Sequence, residues 1–366
     1  MRLSVVFRIL ILAGFPAFSY AQNFHITLLD SGKNTSLRGL CAVNAATLWV
    51  CGSNGSVALS TDSGKTFAWQ RVPGYENRDF RDIAAFNDST ALIMAVAEPA
   101  LILKTSDGGK TWKKVMEDTT KGMFLDAMDF ADDRNGMVIG DPVNHHFFLG
   151  FTTNGGDSWS VPGGEANALI PENFPDEAFF AASGTNLCYY RSENAYSGVF
   201  VSGGSVSRIF YRNQIDLLPM NFGKETTGAN SIAIDLLHHS GVVVGGDFAK
   251  NQDTTGNCVI LYLLDSLRFL HPQTPPHGYR SCVAYIGYNK LITCGTSGVD
   301  ISEDGGRNWQ LISTLGFHVC QKSKHGASVF LAGPHGMIAK LTREEDGRFK
   351  AFSKLPRSFG RLPQNL

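Results

Sequence analysis

Thr105-Ser106-Asp107-Gly108-Gly109-Lys110-Thr111-Trp112, TSDGGKTW, is one of four segments sharing the order S/T-x-D/N-x-G-x-x-W/F. The others are STDSGKTF (Ser60 to Phe67), TTNGGDSW (Thr152 to Trp159) and SEDGGRNW (Ser302 to Trp309). Their third residues, Asp62, Asp107, Asn154 and Asp304, lie 45, 47 and 150 positions apart, and 150 is three periods of about 50. Two worn copies therefore belong between 154 and 304. LLDSLRF (Leu263 to Phe269) fits one, and Arg212 to Leu218 fits the other poorly. TREEDGRF (Thr342 to Phe349) keeps Thr, an acid and Phe, which makes seven units.

Each unit holds strand-like runs. In the first, LRGLCAV, TLWVCG, SVALST and TFAWQRV are short, rich in β-branched and aromatic residues, and separated by turn formers. Four-stranded units of this length, repeated seven times, predict an all-β fold, a seven-bladed β-propeller. The repeated motif falls between the third and fourth strands. Its Asp or Asn accepts hydrogen bonds from nearby N–H groups, its glycines supply positive φ, and its Trp or Phe packs between sheets. It reads as a fastener and not as a site. Ring closure is expected to use FHITLL (Phe24 to Leu29) as an added strand of the last blade.

With 366 residues, 43% hydrophobic and 18% charged, the chain can bury a large core, and 39 glycines and 25 phenylalanines suit many short strands. The formal net charge of −1 gives no electrostatic case for nucleic acid or an anionic membrane. Residues 1–21 read as a signal peptide: Arg2 and Arg8, an apolar run from Ile9 to Phe15, then Ser19-Tyr20-Ala21 ahead of Gln22. Residues 22–366 are then one propeller domain, periplasmic or secreted, with no integral membrane segment after cleavage. Seven cysteines stand at 41, 51, 188, 258, 282, 294 and 320. An oxidising compartment permits bridges, and Cys41/Cys51 and Cys282/Cys294 each flank a probable hairpin turn. Buried small hydrophobes are an equal reading.

If the motifs mark the bottom of the propeller, the blade-to-blade entries and the loops between second and third strands lie at the top. The entries carry Arg38, Arg81 and Asp82, Asp126, Lys224, Glu225 and Asn230, His277, Tyr279 and Arg280, and His318. The loops carry Glu98 and Asp141. Aligned on the strand, Arg38, Arg81, Asn230, Arg280 and His318 fall at similar positions. Arginines and carboxylates gathered at one mouth suit an anionic or polyhydroxylated ligand. Mutual pairing within a wet channel is the plain alternative. The pairs His145-His146 and His238-His239 predict no metal site, because adjacent strand residues face opposite ways. No dinucleotide fingerprint and no haem attachment motif is present, so no cofactor is expected.

These segments resemble the Asp-box, or BNR, repeats of the photosystem II stability/assembly-factor-like propellers. The chain is more closely similar to exported bacterial relatives, common in Bacteroidota and sometimes labelled oxidoreductase. Shared stretches include RDFRDIAAF, IMAVAEPA, KGMFLDAMDF, ASGTN, TGANSIA, PPHGYRSC, ITCGTSGVDIS and GFHVC. The resemblance implies a binding or assembly module acting on a protein or glycan through its top face. The competing expectation is a carbohydrate-active enzyme at the same face. Sialidases resemble the chain in architecture, and Arg38, Arg81 and Arg280 with Tyr279 could imitate their arginine triad and nucleophile. The Phe/Tyr-Arg-Ile-Pro segment is missing, however, and SRIF (Ser207 to Phe210) lies in the fourth unit. Any other glycosidase or lyase would need paired carboxylates, for which Glu98, Asp126 and Asp141 are the candidates.

Overall fold

A small antiparallel sheet buries both faces only when stacked between others, and its innermost strand still has one bare hydrogen-bonding edge. This chain answers both demands by setting seven sheets around an axis. The computed structural model describes residues 24–162, 172–193, 195–212 and 214–343. Residues His25–Thr342 form one compact unit. The expected signal segment, 1–21, and residues 344–349 of the seventh repeat lie outside the described residues.

Blade 1 runs outward through Leu37–Ala42, Leu48–Gly52, Ser56–Ser60 and Ala68–Arg71, and blade 2 through Phe80–Ala85, Ala91–Ala95, Ala100–Thr105 and Lys113–Asp118. Blade 3 has Leu125–Phe130, Gly136–Val143 and His146–Thr152, with a fourth strand reduced to a bridge between Phe151 and Ser160. Blade 4 comprises Leu187–Arg191, Tyr196–Val201, Arg208–Tyr211 and Gln214–Leu217. Blade 5 comprises Thr227–Asp235, Ser240–Asp247, Cys258–Leu263 and Leu267–Leu270, with Gly203–Gly204 and Glu177–Ala178 added at its inner side. Blade 6 comprises Cys282–Gly287, Lys290–Gly295, Gly298–Ser302 and Gln310–Ser313. Blade 7 has Val319–Lys322, Val329–Ala332 and Ile338–Arg343, and its outer strand is the N-terminal Phe24–Asp30. Inner strands contact one another in order, and that of blade 7 meets that of blade 1. The fold is a seven-bladed β-propeller.

Apolar side chains fill the spaces between blades. Cys41, Trp49 and Val57 of blade 1 pack with Ile83, Ile93 and Leu103 of blade 2. Leu92, Met94 and Ile102 of blade 2 pack with Met128 and Val138 of blade 3. The four motif copies fold into one kind of turn on the bottom face. Gly109 N–H donates to Thr105 Oγ1 at 3.0 Å, and Asp107 accepts from Thr111 N–H at 2.9 Å and Thr111 Oγ1 at 2.6 Å. The Thr111 hydroxyl is the main cause holding the Asp107 carboxyl down to about 2. In the third copy Asn154 accepts from Ser158 N–H at 3.1 Å and donates its amide to Ser158 Oγ at 2.9 Å. Reversing one donor keeps the geometry, which is why Asn replaces Asp there. Gly109 has φ +85°, and a Cβ on it would lie 2.2 Å from the Gln70 amide of blade 1. Trp112 packs edge-on to Trp49 of blade 1 at 6.4 Å, and Trp309 of blade 6 joins Val242 and Cys258 of blade 5.

The expected closing strand is present: Phe24–Asp30 is the outer strand of blade 7, so closure joins the chain ends. Of the two cysteine pairs, Cys282 does face Cys294, whereas Cys41 faces Trp49 and Cys51 faces Gly39. All seven thiols are free.

The bare inner edges are satisfied by the neighbouring blade. Ala42 N–H donates to Gln321 Oε1 at 2.7 Å, Ala85 N–H to Cys41 Sγ at 3.3 Å, and Met128 N–H to Asp82 Oδ2 at 2.7 Å. Tyr189 N–H donates to Asp129 Oδ2 at 2.7 Å and Ile232 N–H to the Thr185 carbonyl at 2.9 Å. Val283 N–H donates to Ser231 Oγ at 3.0 Å and Cys320 N–H to Cys282 Sγ at 3.3 Å. Each of the seven junctions thus carries one such bond.

Trp112→Ala is expected to lower stability by about 3 kcal/mol in chemical denaturation, because it empties a partly buried inter-blade space. A loss under about 1 kcal/mol would show that the motif aromatic does not fasten the blades.

Candidate functional site

The inner strands of blades 1, 2, 3 and 5 carry a β-bulge at the same level. The ladder slips between Leu37 and Gly39, Phe80 and Asp82, Leu125 and Ala127, and Ala229 and Ser231. The extra residues are Arg38, Arg81, Asp126 and Asn230. A bulge removes its extra residue from the ladder and re-aims the side chain. His318 stands at the matching place in blade 7, directly before Val319–Lys322.

These side chains converge on the axis. Arg38 of blade 1 donates to the Ala182 carbonyl, on the approach to blade 4, at 3.1 Å. Arg38 and Arg81 both lie in the electrostatic field of His318 from blade 7, and Arg38 in that of Tyr279 from blade 6. Tyr279 Oη donates to Asn230 Oδ1 at 2.8 Å. Arg81 pairs with Asp79 at 2.8 Å and lies over the Phe124 ring. Arg38 makes one side-chain hydrogen bond and Arg81 one, among the described residues. Burial is the main cause lowering the Arg38 pKa, and the charge of Arg81 adds to it. Two guanidiniums therefore face one mouth with most of their donors uncommitted.

Beneath Arg81 lie two carboxyls. Asp126 is fully buried, and neither of its oxygens has a donor among the described residues. Burial, then the charge of Asp141, pushes Asp126 well above the usual carboxylate range. Asp141 is raised to about 6 by burial, although it accepts from Phe179 N–H at 2.8 Å. Burial and the charge of Asp141 thus favour a protonated Asp126 beside Asp141.

Residues 182–185 cross the channel below this level. Ser183 Oγ donates to the Ser281 carbonyl of blade 6 at 2.7 Å, and Thr185 Oγ1 meets Ser231 Oγ of blade 5 at 2.7 Å. Gly184, at φ +67°, lies against blade 2, where an added Cβ would fall 2.3 Å from Asp82 Cγ. Asp82 cannot yield, because Ile83 N–H and Met128 N–H both hold its carboxylate at 2.7 Å. Below this crossing a cavity of about 240 Å³ is lined by inner-strand residues including Asp82, Asp129, Gln321 and Cys320.

The remaining sequence candidates scatter. Arg280 does not join the arginines: it sits one residue ahead of the bulge position, is fully buried, and donates through both Nε and Nη2 to one oxygen, Oδ2, of the fully buried Asp300. It also donates to Ser297 Oγ at 2.6 Å. His277, half-exposed, places Nδ1 2.5 Å from the other Asp300 oxygen. Asp82 is a buried junction residue below the mouth. Glu98 is exposed, accepts from Gly122 N–H at 3.0 Å, and is joined to Pro99 by a cis peptide. Lys224 and Glu225 are exposed in the loop before blade 5. Asp141 belongs to the strand Gly136–Val143 and not to a loop. His238 bonds Asp235 at 2.7 Å and lies tilted against Tyr288, and His145 occupies a turn at φ +69°. Sequence reasoning missed the crossing segment 182–185. Its signal was two small residues, Ser183 and Gly184, where the repeat predicted an inner strand.

No family model matches the chain, and no curated protein matches its sequence. Among solved structures, the chain is similar to one described as YCF48 bound to D1 peptide. The TM-score is 0.58 at 16% identity, over 88% of this chain and 97% of the other. It is also similar to YCF48 from Cyanidioschyzon merolae, with a TM-score of 0.56 at 15% identity over 86% and 98%. The WD40 repeats of RRP9 give 0.58 at 13% identity over 87% and 98%. Likeness at these identities shows a shared propeller fold and nothing finer.

Arg280→Ala leaves Asp300 buried without its main partner, so a loss of about 3–5 kcal/mol is expected in chemical denaturation. Unchanged stability would show that the pair is not what holds this corner. Two opposing pH slopes are also expected. His318 is lowered from 6.5 to about 3 by burial and then by Arg38 and Arg81. Its contribution is complete above about pH 6.5 and lost as pH falls toward 3. Asp141 is raised from 3.8 to about 6, so its contribution is complete below about pH 4 and lost as pH rises to 6. Between pH 4 and 6, His318→Gln should make Tm fall more steeply with rising pH, and Asp141→Asn should make it rise. Identical Tm profiles for both variants and the unsubstituted chain would contradict this account.

Proposed function

We propose that the chain is an exported binding module whose channel mouth takes an anionic segment of a partner protein. The observation that carries this reading is the pair of re-aimed arginines, Arg38 and Arg81, set side by side with uncommitted donors. Like charges held together cost free energy, and a carboxylate between them relieves that cost while accepting bidentate hydrogen bonds. His318, neutral at ordinary pH, adds no third charge and fixes the rim through Ser36 Oγ at 3.1 Å. A propeller fold suits such a role, since its loops present a rigid ring of side chains. A similar fold has been solved with a bound peptide, which supports a peptide as the ligand class here. Export rests on residues 1–21 and is part of the proposal.

A glycosidase needs two carboxyls on either side of a sugar, about 5 to 10 Å apart. The mouth offers Asp126 and Asp141, but Asp126 is fully buried where no sugar reaches it, and burial pushes both carboxyls above the usual carboxylate range. Glu98 is engaged by a backbone N–H in an exposed loop. The binding reading is therefore preferred to the enzymatic one.

An array of acidic, neutral and basic peptides, probed with the mature chain, tests the proposal. Acidic sequences are expected to be retained, and Arg38→Ala/Arg81→Ala should weaken retention at least tenfold without changing the thermal midpoint by more than a few degrees. Retention that ignores peptide charge, or survives the double substitution, would refute a cationic mouth.

A further inference from the structure

The inner strands of blades 6 and 7 bring three thiols together. Cys282 and Cys294 are opposite one another in blade 6, and Cys320 belongs to the inner strand of blade 7. All three are at most 1% exposed and lie within one another's electrostatic reach. Cys282 Sγ accepts from Cys320 N–H at 3.3 Å and from Thr185 Oγ1 at 3.5 Å. Cys320 Sγ lies 3.9 Å from the Cys282 carbonyl. Burial is the largest influence on Cys282 and opposes its thiolate, but its hydrogen bonds with Cys294 and Cys320 outweigh it and hold the thiol well below its usual range.

Access distinguishes the three. Cys320 lines the axial cavity of about 240 Å³, whereas Cys282 and Cys294 lie behind it. Cys41 and Cys188 also line that cavity, but they bond backbone carbonyls, of Ala85 and Ile232, and have no thiol as a hydrogen-bonding neighbour. Among the described residues, Cys320 is the cavity-lining cysteine whose own backbone N–H donates to a second thiol, Cys282 Sγ, at 3.3 Å.

We infer that this trio is an oxidation site, at which a small disulfide compound entering the axial cavity links Cys320 to Cys282. The Cys320 sulfur attacks one sulfur of the compound, giving a mixed disulfide and releasing one thiol that takes the Cys320 proton. The Cys282 sulfur then attacks Cys320 Sγ, forming the Cys282–Cys320 bond and releasing the second thiol with the Cys282 proton. Two protein thiols are oxidised and one disulfide is reduced to two thiols. The product replaces the hydrogen-bonded junction between blades 6 and 7 with a covalent one. An exported chain would meet such oxidants in its own compartment.

The test treats the folded, fully reduced mature chain with 2-hydroxyethyl disulfide, then alkylates, digests and maps it by mass spectrometry. A Cys282–Cys320 link is expected, with Cys294 still alkylated. Cys294→Ser should retain the link, and Cys320→Ser should leave Cys282 alkylated. The unsubstituted map stands alone should a serine unsettle the blade. Full alkylation of Cys282 and Cys320 in the unsubstituted chain, or a disulfide that leaves out Cys320, would overturn the inference.

Discussion

The innermost strand of every blade has a free edge facing the axis, and satisfying that edge organises much of this molecule. Apart from the short strands Gly203–Gly204 and Glu177–Ala178 beside blade 5, no further strand pairs with an inner edge, and a bare backbone N–H that is buried costs as much as a lost hydrogen bond. The chain meets the need seven times with one acceptor from the preceding blade. The acceptors differ widely: an amide at Gln321, thiols at Cys41 and Cys282, carboxylates at Asp82 and Asp129, a hydroxyl at Ser231, and a backbone carbonyl at Thr185. What is held constant is an acceptor at hydrogen-bonding distance, and not a residue type.

That constraint explains why polar groups are buried along the axis of an otherwise apolar fold. Asp82 is kept by two N–H donors, although burial pushes its carboxyl well above the usual range. It also explains blade 4. Its inner strand enters by way of residues 182–185, which leave the strand path and cross the axis. Thr185 therefore presents its carbonyl to Ile232 where the other blades present side chains. The crossing divides the axis into a cationic mouth above and a small cavity below. Bulges at four blades then turn Arg38, Arg81, Asp126 and Asn230 toward that mouth, because each bulge takes one residue out of the ladder just where the strand begins.

The sequence made the periodic part of this legible. The motif is local: one Asp or Asn, one or two glycines and an aromatic build a turn from eight neighbouring residues, so its copies could be counted without a structure. The count located the fourth-strand turns of blades 4 and 5, where the motif itself is worn. The outer strand of blade 7 was read from Phe24 to Leu29, because a ring of blades closes where its two chain ends meet, and Phe24–Asp30 takes that place. The mouth was legible in outline. Aligning the inner strands placed Arg38, Arg81, Asn230 and His318 together, but it placed Arg280 with them. One residue of register separates a bulged arginine in the mouth from an arginine buried against Asp300. No composition rule reports that difference, since it depends on a ladder shift and on an acid twenty positions away.

Charge balance at the mouth follows from the same geometry. Arg38 and Arg81 bring two positive charges, and Asp79 answers one of them. Below, Asp126 and Asp141 could in principle neutralise the rest, but they lie too close and too deep for both to ionise at low cost. A proton kept on Asp126 removes a negative charge from the place where it would cancel an arginine. His318 is kept neutral by burial and by those arginines, so it does not raise the positive charge further. The result is a mouth whose positive charge is left partly unanswered by the protein itself, above a crossing segment that closes the channel beneath it. On the proposed reading, a carboxylate arriving from outside would answer that charge with the bidentate hydrogen bonds an arginine offers.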